Sequence, residues 1–325
     1  MTKVAVLDDW QGVARQSADW SELEKRAQVR IFEKPFGDAA DFVRQLANFE
    51  IIVAMRERSP FPKTVIDQLT TLKMIALTGP RTWTMDIAAC TARRIPVCHT
   101  GGALASAATA EIALGLLLTA ARHIVSADVS MRGGRFQQQL PVGTALEGKT
   151  LGVIGLGKIG SRMARYGLAL GMRVLAWSRN LTHEAASSAG VQRVEKDALL
   201  RESDAISLHL VLSDLSRGTI GAEELKKMKD HAILINTSRG PLIEETALLE
   251  HLRAGRLIAA LDVFDREPLP ENHPLRSLPN TVLTPHQGYG TREIYRQFYA
   301  ESIENVLAYL DGHPIRVLNP EALAT

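Results

Sequence analysis

The stretch Thr150-Leu-Gly-Val-Ile-Gly155-Leu-Gly157-Lys158-Ile159-Gly160 decides the fold. An apolar β-branched run leads into Gly-x-Gly-x-x-Gly, and a helical pattern follows. Each glycine has a separate physical task in such a turn. Gly155 makes the tight bend, Gly157 lets a pyrophosphate approach the backbone, and Gly160 lets helix and strand pack closely. The first-turn amides, at Lys158, Ile159 and Gly160, then face the anion with the positive end of the helix dipole behind them. The motif alone is weak evidence, and the alternative is a tight βα turn with no ligand, but the strand before it and the helix after it favour the dinucleotide reading.

On both sides of this turn, short apolar runs alternate with amphipathic stretches. Before it the expected strands are Val4–Leu7, Val29–Phe32, Ile51–Ala54, Met74–Leu77 and Ile95–Cys98, with helices over Ala39–Phe49 and Lys63–Leu69. From Thr150 onward they are Thr150–Ile154, Arg173–Trp177, Val191–Val194, Ala205–Leu208, Ala232–Ile235, Leu257–Leu261 and Thr281–Leu283. Such βα alternation gives parallel sheets covered by helices on both faces. Between the two series lie a helix expected over Ala105–Ser126, apolar nearly all round and so expected to be buried, and a polar, glycine-rich stretch from Arg132 to Gly148. A last helix is expected over Arg292–Leu310.

The 325 residues suit two domains. With 38 basic and 36 acidic residues the net charge is +2, so no field favours a nucleic acid. The most apolar stretch, Ile112–Ala121, is shorter than the roughly 20 residues of a bilayer span. Two cysteines, Cys90 and Cys98, are too few for a disulfide framework. The chain opens on a short strand rather than a leader. A cytoplasmic enzyme without a membrane or nucleic-acid partner is expected.

Twenty-three residues after Gly155 comes Ser178-Arg179-Asn180, where an acidic residue would hold the adenosine ribose. None is present. Ser178, Arg179 and Asn180 can all donate to a 2′-phosphate, and an arginine fork suits one best. NADP is therefore favoured over NAD. An Arg179 that stacks on adenine or points to solvent would leave NAD usable.

Three more segments follow strands: Asn236-Thr237-Ser238-Arg239-Gly240-Pro241, Leu261-Asp262-Val-Phe-Asp-Arg-Glu267-Pro268 and Thr284-Pro285-His286-Gln287-Gly288. Ligands of open α/β sheets bind beyond strand C-termini. Arg239 there can grip a carboxylate bidentately. His286 has the side chain whose ordinary titration range suits proton transfer near neutrality. Either Asp262 or Glu267 could orient it.

Together these segments resemble the D-isomer-specific 2-hydroxyacid dehydrogenases, and they occur in that family's order. Weaker matches run from Met55-Arg-Glu-Arg-Ser through Ala76-Leu-Thr-Gly79 to Ala108-Thr109-Ala-Glu111, so nearly the whole chain is covered. The resemblance implies two Rossmann-like, doubly wound parallel-sheet domains, with the cofactor domain (residues 104–291) inserted into a substrate domain (1–103 and 292–325). It implies a cleft that closes on substrate, and a homodimer. By motif, Arg239 would bind the carboxylate and carbonyl, His286 would be the acid/base and Glu267 would hold it. Thr78 and Gly79 would contact the substrate, Gly79 through backbone N–H. Thr109, Thr237, Ser238, Asp262 and Gly288 would line the cofactor, Asp262 near its nicotinamide end. No metal is expected.

One departure from the family is that Pro80 has no N–H to offer beside Gly79. No regulatory domain follows Pro320, so a feedback-regulated phosphoglycerate dehydrogenase is not expected. Two other readings share the fold: a phosphite- or formate-type dehydrogenase, whose substrate has no 2-hydroxyl, and a dinucleotide-sensing, corepressor-like scaffold. The set Arg239, Glu267 and His286 speaks against a pure scaffold, which needs none of it. The loops near Arg56–Phe61, Thr78–Trp83 and Gln287–Tyr295 would set the pocket, with Phe61, Trp83, Tyr289 and Tyr295 as candidate apolar lining.

Overall fold

The computed structural model describes residues 1–80, 82–102 and 104–324. The expected domain limit at 103, position 81 of the Thr78–Trp83 loop and the terminal residue 325 lie outside the described residues. The chain divides into two compact units, Met1–Leu104 with Gly290–Thr325, and Ala105–Tyr289.

Among the described residues the first unit holds five strands: β1 (Thr2–Val6), β2 (Ala27–Ile31), β3 (Ile51–Ala54), β4 (Met74–Leu77) and β5 (Val97–His99). All pair in parallel, in the order β2-β1-β3-β4-β5. Every residue of β3 and β4 is buried, as expected of strands covered on both faces. The helix Arg292–Leu310 belongs to this unit and buries Ile294, Phe298, Tyr299, Ile303 and Val306. Fully burying side chains of this size stabilises by about 1.5–3 kcal/mol each. The tail beyond it is tied to β5: Leu318 N–H donates to Val97 O at 2.8 Å, and Asn319 Oδ1 accepts from Val97 N–H at 2.8 Å. Cys90 and Cys98 are buried free thiols in this unit.

The second unit holds seven described strands: β6 (Thr150–Ile154), β7 (Arg173–Trp177), β8 (Gln192–Arg193), β9 (Ala205–Leu208), β10 (Ala232–Asn236), β11 (Leu257–Leu261) and β12 (Thr281–Leu283). Their order is β12-β11-β10-β9-β6-β7-β8, again all parallel. The winding reverses between β6 and β9, the switch point beyond which doubly wound sheets bind their ligands.

Two expectations need correction here. The edge strand β8 is only two residues long, not four. The helix expected over Ala105–Ser126 ends at Arg122, because His123 adopts a left-handed backbone (φ 53°), and a second helix, Ile124–Arg132, follows. By length and composition Ala105–Arg122 could cross a membrane. Here its Ala113, Leu116, Leu117, Ala120 and Ala121 pack into a core with Leu151, Val153, Ile233 and Ile235 of the sheet.

Candidate active site

At the switch point the phosphate turn has the geometry its glycines require. Gly155 stands at φ 98°, and a methyl there would lie 2.5 Å from the His209 carbonyl oxygen. A methyl at Gly160 would lie 1.9 Å from the Gly155 carbonyl oxygen, so helix and strand touch. Gly157 differs, because a methyl there would meet nothing within 4 Å. The packing of the turn leaves open space beside that glycine, room that a ligand resting on the backbone would use. Gly157 caps the twelve-residue helix Lys158–Ala169, and among the described residues no side chain caps it. The first-turn amides of Lys158, Ile159 and Gly160 are thus left for an anion. These features fit a dinucleotide pyrophosphate.

Beyond β7, Ser178 is half-buried while Arg179 and Asn180 are exposed. Arg179 Nη2–H donates to the Leu215 carbonyl at 2.9 Å, which fixes the guanidinium beside the strand end.

Arg239, Glu267 and His286 follow three neighbouring strands whose ends are level, since Asn236 pairs with Leu261 and Leu261 with Leu283. After β10, Asn236 Nδ2–H donates to the Arg239 carbonyl at 2.8 Å and Asn236 Oδ1 accepts from Ser238 N–H at 3.0 Å. Ser238 Oγ–H donates to Leu208 O at 2.8 Å. These bonds curl the loop so that Arg239 begins the short helix Gly240–Leu242, its own Nη1 at 2.6 Å from the Ser238 carbonyl. A methyl at Gly240 would lie 2.2 Å from the Phe264 carbonyl carbon, so this loop presses on the one after β11.

In that second loop Phe264 N–H donates to Glu267 Oε1 at 2.9 Å, and Glu267 Oε2 lies 2.5 Å from His286 Nδ1. The two side chains are 19% and 14% exposed, dry enough to strengthen the contact yet reachable by a ligand. His286 has a left-handed backbone (φ 50°), a conformation that costs energy and gathers at functional sites. Asp262 holds it there. This carboxylate is 1% exposed and accepts from Thr284 Oγ at 2.5 Å, Gln287 N–H at 2.9 Å and Gly288 N–H at 2.9 Å. Burial pushes its carboxyl above the usual range, against the pull of those hydrogen bonds and of His286.

Among the other expected cofactor contacts, Thr109 lies against Gly288, with its hydroxyl donating to Ala105 O at 2.7 Å. Thr237 Oγ1 is buried and without a partner among the described residues, a hydrogen-bonding position that a ligand can fill. Tyr289 meets His286 edge-on, ring centroids 6.1 Å apart. Sequence patterns gave no role to His209. Its Nε2 lies 2.9 Å from Ser207 Oγ and its backbone backs the phosphate turn; burial pushes the imidazole down to about 4.

In the first unit, the residues expected near the substrate have partners within the protein. Thr78 is 1% exposed, and its Oγ1 accepts from Arg56 N–H at 3.1 Å. The Gly79 N–H donates to Thr100 Oγ1 at 2.8 Å, so this amide already has an acceptor. Phe61, expected in the apolar lining, is buried in the core, edge-on to Phe42 at 5.1 Å. Trp83 is exposed, with its N–H on Glu57 Oε1 at 3.1 Å. Tyr295 stacks on Tyr299 and donates to Gln11. Among the described residues no group of three or more His, Cys, Asp or Glu could hold a metal.

Comparison with known proteins agrees with this geometry. The family model "D-isomer specific 2-hydroxyacid dehydrogenase, NAD binding domain" matches residues 114–288, more than half of the chain. The chain belongs to the D-isomer specific 2-hydroxyacid dehydrogenases. It is 40% identical over 268 residues to a glyoxylate reductase of Aeropyrum pernix, covering 80% of each protein. It is 37% identical over 277 residues to a D-3-phosphoglycerate dehydrogenase of Archaeoglobus fulgidus, covering 85% of this chain and 52% of that protein. The crystal structure of a phosphoglycerate oxidoreductase from Vibrio cholerae superposes with a TM-score of 0.90 at 35% identity, covering 96% of this chain and all of the other. A member of this family is a nicotinamide-dinucleotide-dependent oxidoreductase acting on the CH–OH group of 2-hydroxy acids.

Proposed function

We propose that this enzyme reduces small 2-oxo acids to D-2-hydroxy acids, with NADP favoured over NAD. The observation that carries the reading is the Glu267–His286 pair, 2.5 Å between Oε2 and Nδ1, on strand ends next to the one that carries Arg239. When bound, the dinucleotide supplies hydride chemistry at C2. Arg239 pairs with the carboxylate and polarises the 2-oxo group. His286, with Nδ1 turned to Glu267, gives a proton from Nε2 to the carbonyl oxygen and takes it back in the oxidising direction. Asp262 keeps the backbone of residues 287 and 288 fixed while this happens.

The named activities of the relatives, glyoxylate reduction and phosphoglycerate dehydrogenation, support a short 2-oxo acid as substrate. The absence of an acid in Ser178–Asn180, with Arg179 anchored beside them, supports NADP. Exposed Ile124, Val125, Val129, Met131, Phe136 and Val142 gather in one stretch, which supports a homodimer. A cytoplasmic location goes with the reading. The test is NADPH and NADH oxidation, side by side, with glyoxylate, hydroxypyruvate, pyruvate and longer 2-oxo acids, followed by chiral analysis of the product. Turnover to a D-product is expected. Tight dinucleotide binding without turnover of any 2-oxo acid would sink the reading.

A further inference from the structure

Arg239 and Glu267 sit on two loops, after β10 and after β11, that have to keep a fixed spacing. The backbones press together at Gly240, where a methyl would collide with the backbone of Phe264 and Asp265. Beside that contact the packing opens. A cavity of about 20 Å³, room for a single water, is lined by Gly240, Glu245, Phe264, Asp265 and Leu275. Packing alone therefore leaves slack where the two loops meet.

A polar bond runs beside this cavity. His273 Nε2 lies 3.1 Å from Glu245 Oε1, and the two side chains are mostly buried. The direction of the bond follows from the other ring nitrogen. Leu275 N–H donates to His273 Nδ1 at 3.3 Å, so Nδ1 is the acceptor and Nε2 carries the proton that goes to Glu245. Each partner is anchored to one loop. Glu245 opens the helix Glu245–Arg253, shortly after the turn Gly240–Leu242 that Arg239 begins. His273 caps the short helix Pro274–Arg276. In that helix Arg276 Nη2–H donates to Leu269 O at 2.7 Å and Nε–H to Pro270 O at 2.9 Å, directly after Glu267-Pro268. Thr281 Oγ1–H donates to Leu275 O at 3.0 Å, which ties the same helix to β12, the strand that leads to His286. Asp265, two residues before Glu267, feels both partners: burial and Glu245 push its carboxyl up, against Arg217 and His273.

We infer that His273 and Glu245 are positioning residues for the reaction: their hydrogen bond sets the Arg239 loop against the Glu267 loop, and with it the spacing between Arg239 and the Glu267–His286 pair. The inference rests on the 2-hydroxyacid reading for what Arg239 and His286 do. Both residues act through others, and a shift of about 1 Å in a reacting group can cost about 100-fold in rate.

Two substitutions separate the two bonds of His273. In His273→Asn the amide oxygen can replace Nδ1 as acceptor for the Leu275 N–H, but the side chain stops short of Glu245. The longer His273→Gln can still donate to Glu245 and gives up the cap. Glu245→Ala removes the bond from the other side, and Glu245→Gln keeps an acceptor. With NADPH and a 2-oxo acid, kcat is expected to fall by about 10- to 100-fold in His273→Asn and Glu245→Ala. It should stay within about threefold of wild type in His273→Gln and Glu245→Gln, and KM for the acid and NADPH affinity should do so in all four. The double variant His273→Asn/Glu245→Ala should be no worse than either single change, since both break the same bond. Thermal unfolding verifies that each variant is folded. Unchanged kcat in both His273→Asn and Glu245→Ala overturns the inference, as does a loss in His273→Gln as large as in His273→Asn, or additive losses in the double variant.

The placement of His286 is also read without turnover, from the carbon–proton NMR signal of its ring in histidine-labelled protein, identified by its loss in His286→Ala. This signal should shift in His273→Asn and stay in place in His273→Gln. A wild type that reduces no 2-oxo acid, with the signal moving in this way, refutes the functional reading and keeps the positioning role. Normal turnover, with kcat and the signal unchanged in His273→Asn, does the reverse.

Discussion

His286 and Glu267 stand 2.5 Å apart, Nδ1 to Oε2, while the other Glu267 oxygen accepts the Phe264 N–H at 2.9 Å. The carboxylate is therefore fixed by its own loop before it fixes the histidine. The prediction from this pair is a loss of chemistry without a loss of binding. His286→Ala should lower kcat by roughly two to four orders of magnitude, the usual worth of a positioned acid/base. Glu267→Gln should lower it in the same direction by a smaller factor. NADPH affinity, followed by fluorescence titration, should stay within about twofold of wild type, a change worth well under 1 kcal/mol. Full activity in His286→Ala would remove the histidine from the mechanism.

The three glycines of the phosphate turn should behave differently from one another. A methyl at Gly157 meets nothing in the protein, whereas one at Gly160 meets the Gly155 carbonyl oxygen at 1.9 Å. Gly157→Val should therefore leave Tm within about 2 °C of wild type, less than 1 kcal/mol, yet weaken NADPH binding by at least about tenfold. Gly160→Ala should lower stability itself by about 1–3 kcal/mol, as overpacking does. Thermal unfolding with and without NADPH tests both, and a Gly157→Val protein with wild-type affinity would contradict the reading of the turn.

Much of this was legible in the sequence, for reasons that differ from place to place. Strands such as Thr150–Ile154 and Leu257–Leu261 have their observed limits in the sequence, because buried parallel strands are continuous apolar runs between glycines and polar loops. The break at His123 was not, since a histidine with a left-handed backbone carries no local mark. The residues alone left either Asp262 or Glu267 as the neighbour of His286, and only the family resemblance pointed to Glu267. Both carboxylates follow β11, and which one meets the ring depends on the path of the loop: Asp262 turns to the amides of Gln287 and Gly288, leaving Glu267 to reach the imidazole. The Gly79–Thr100 bond joins residues from two separate loops, which no periodicity can show. Phe61 reads as a loop aromatic, but packing against Phe42 draws it into the core.

Cofactor preference should follow Arg179. Its guanidinium is exposed and anchored by the Leu215 carbonyl at 2.9 Å. A 2′-phosphate would gain charge-assisted bonds from it, and a 2′-hydroxyl would gain little. Arg179→Ala should thus lower kcat/KM for NADPH by about 10- to 100-fold while changing that for NADH by no more than about threefold. Equal losses with both cofactors would show instead that Arg179 packs on a part common to both.

Asp8, just beyond β1, yields a prediction about stability rather than chemistry. It is 6% exposed with φ 61°, and accepts from Ser59 Oγ at 2.9 Å. Burial raises its carboxyl from 3.8 to about 6, against the opposing pull of Ser59 and Arg58. The folded chain therefore binds this proton more tightly than the unfolded chain does. The stability associated with it is intact below about pH 4 and declines as pH rises toward about 6, after which it is flat. Over that window the loss amounts to roughly 2–3 kcal/mol. Asp8→Asn keeps a neutral side chain of the same shape, and Asn tolerates positive φ. The variant should match wild type near pH 4 and exceed it in stability by about 1–3 kcal/mol at pH 7 and above. Denaturant unfolding at pH 4, 5, 6, 7 and 8 measures the difference between the two proteins. A difference that stays constant across this range would mean that Asp8 does not titrate there, and that its charge is accommodated in the folded chain.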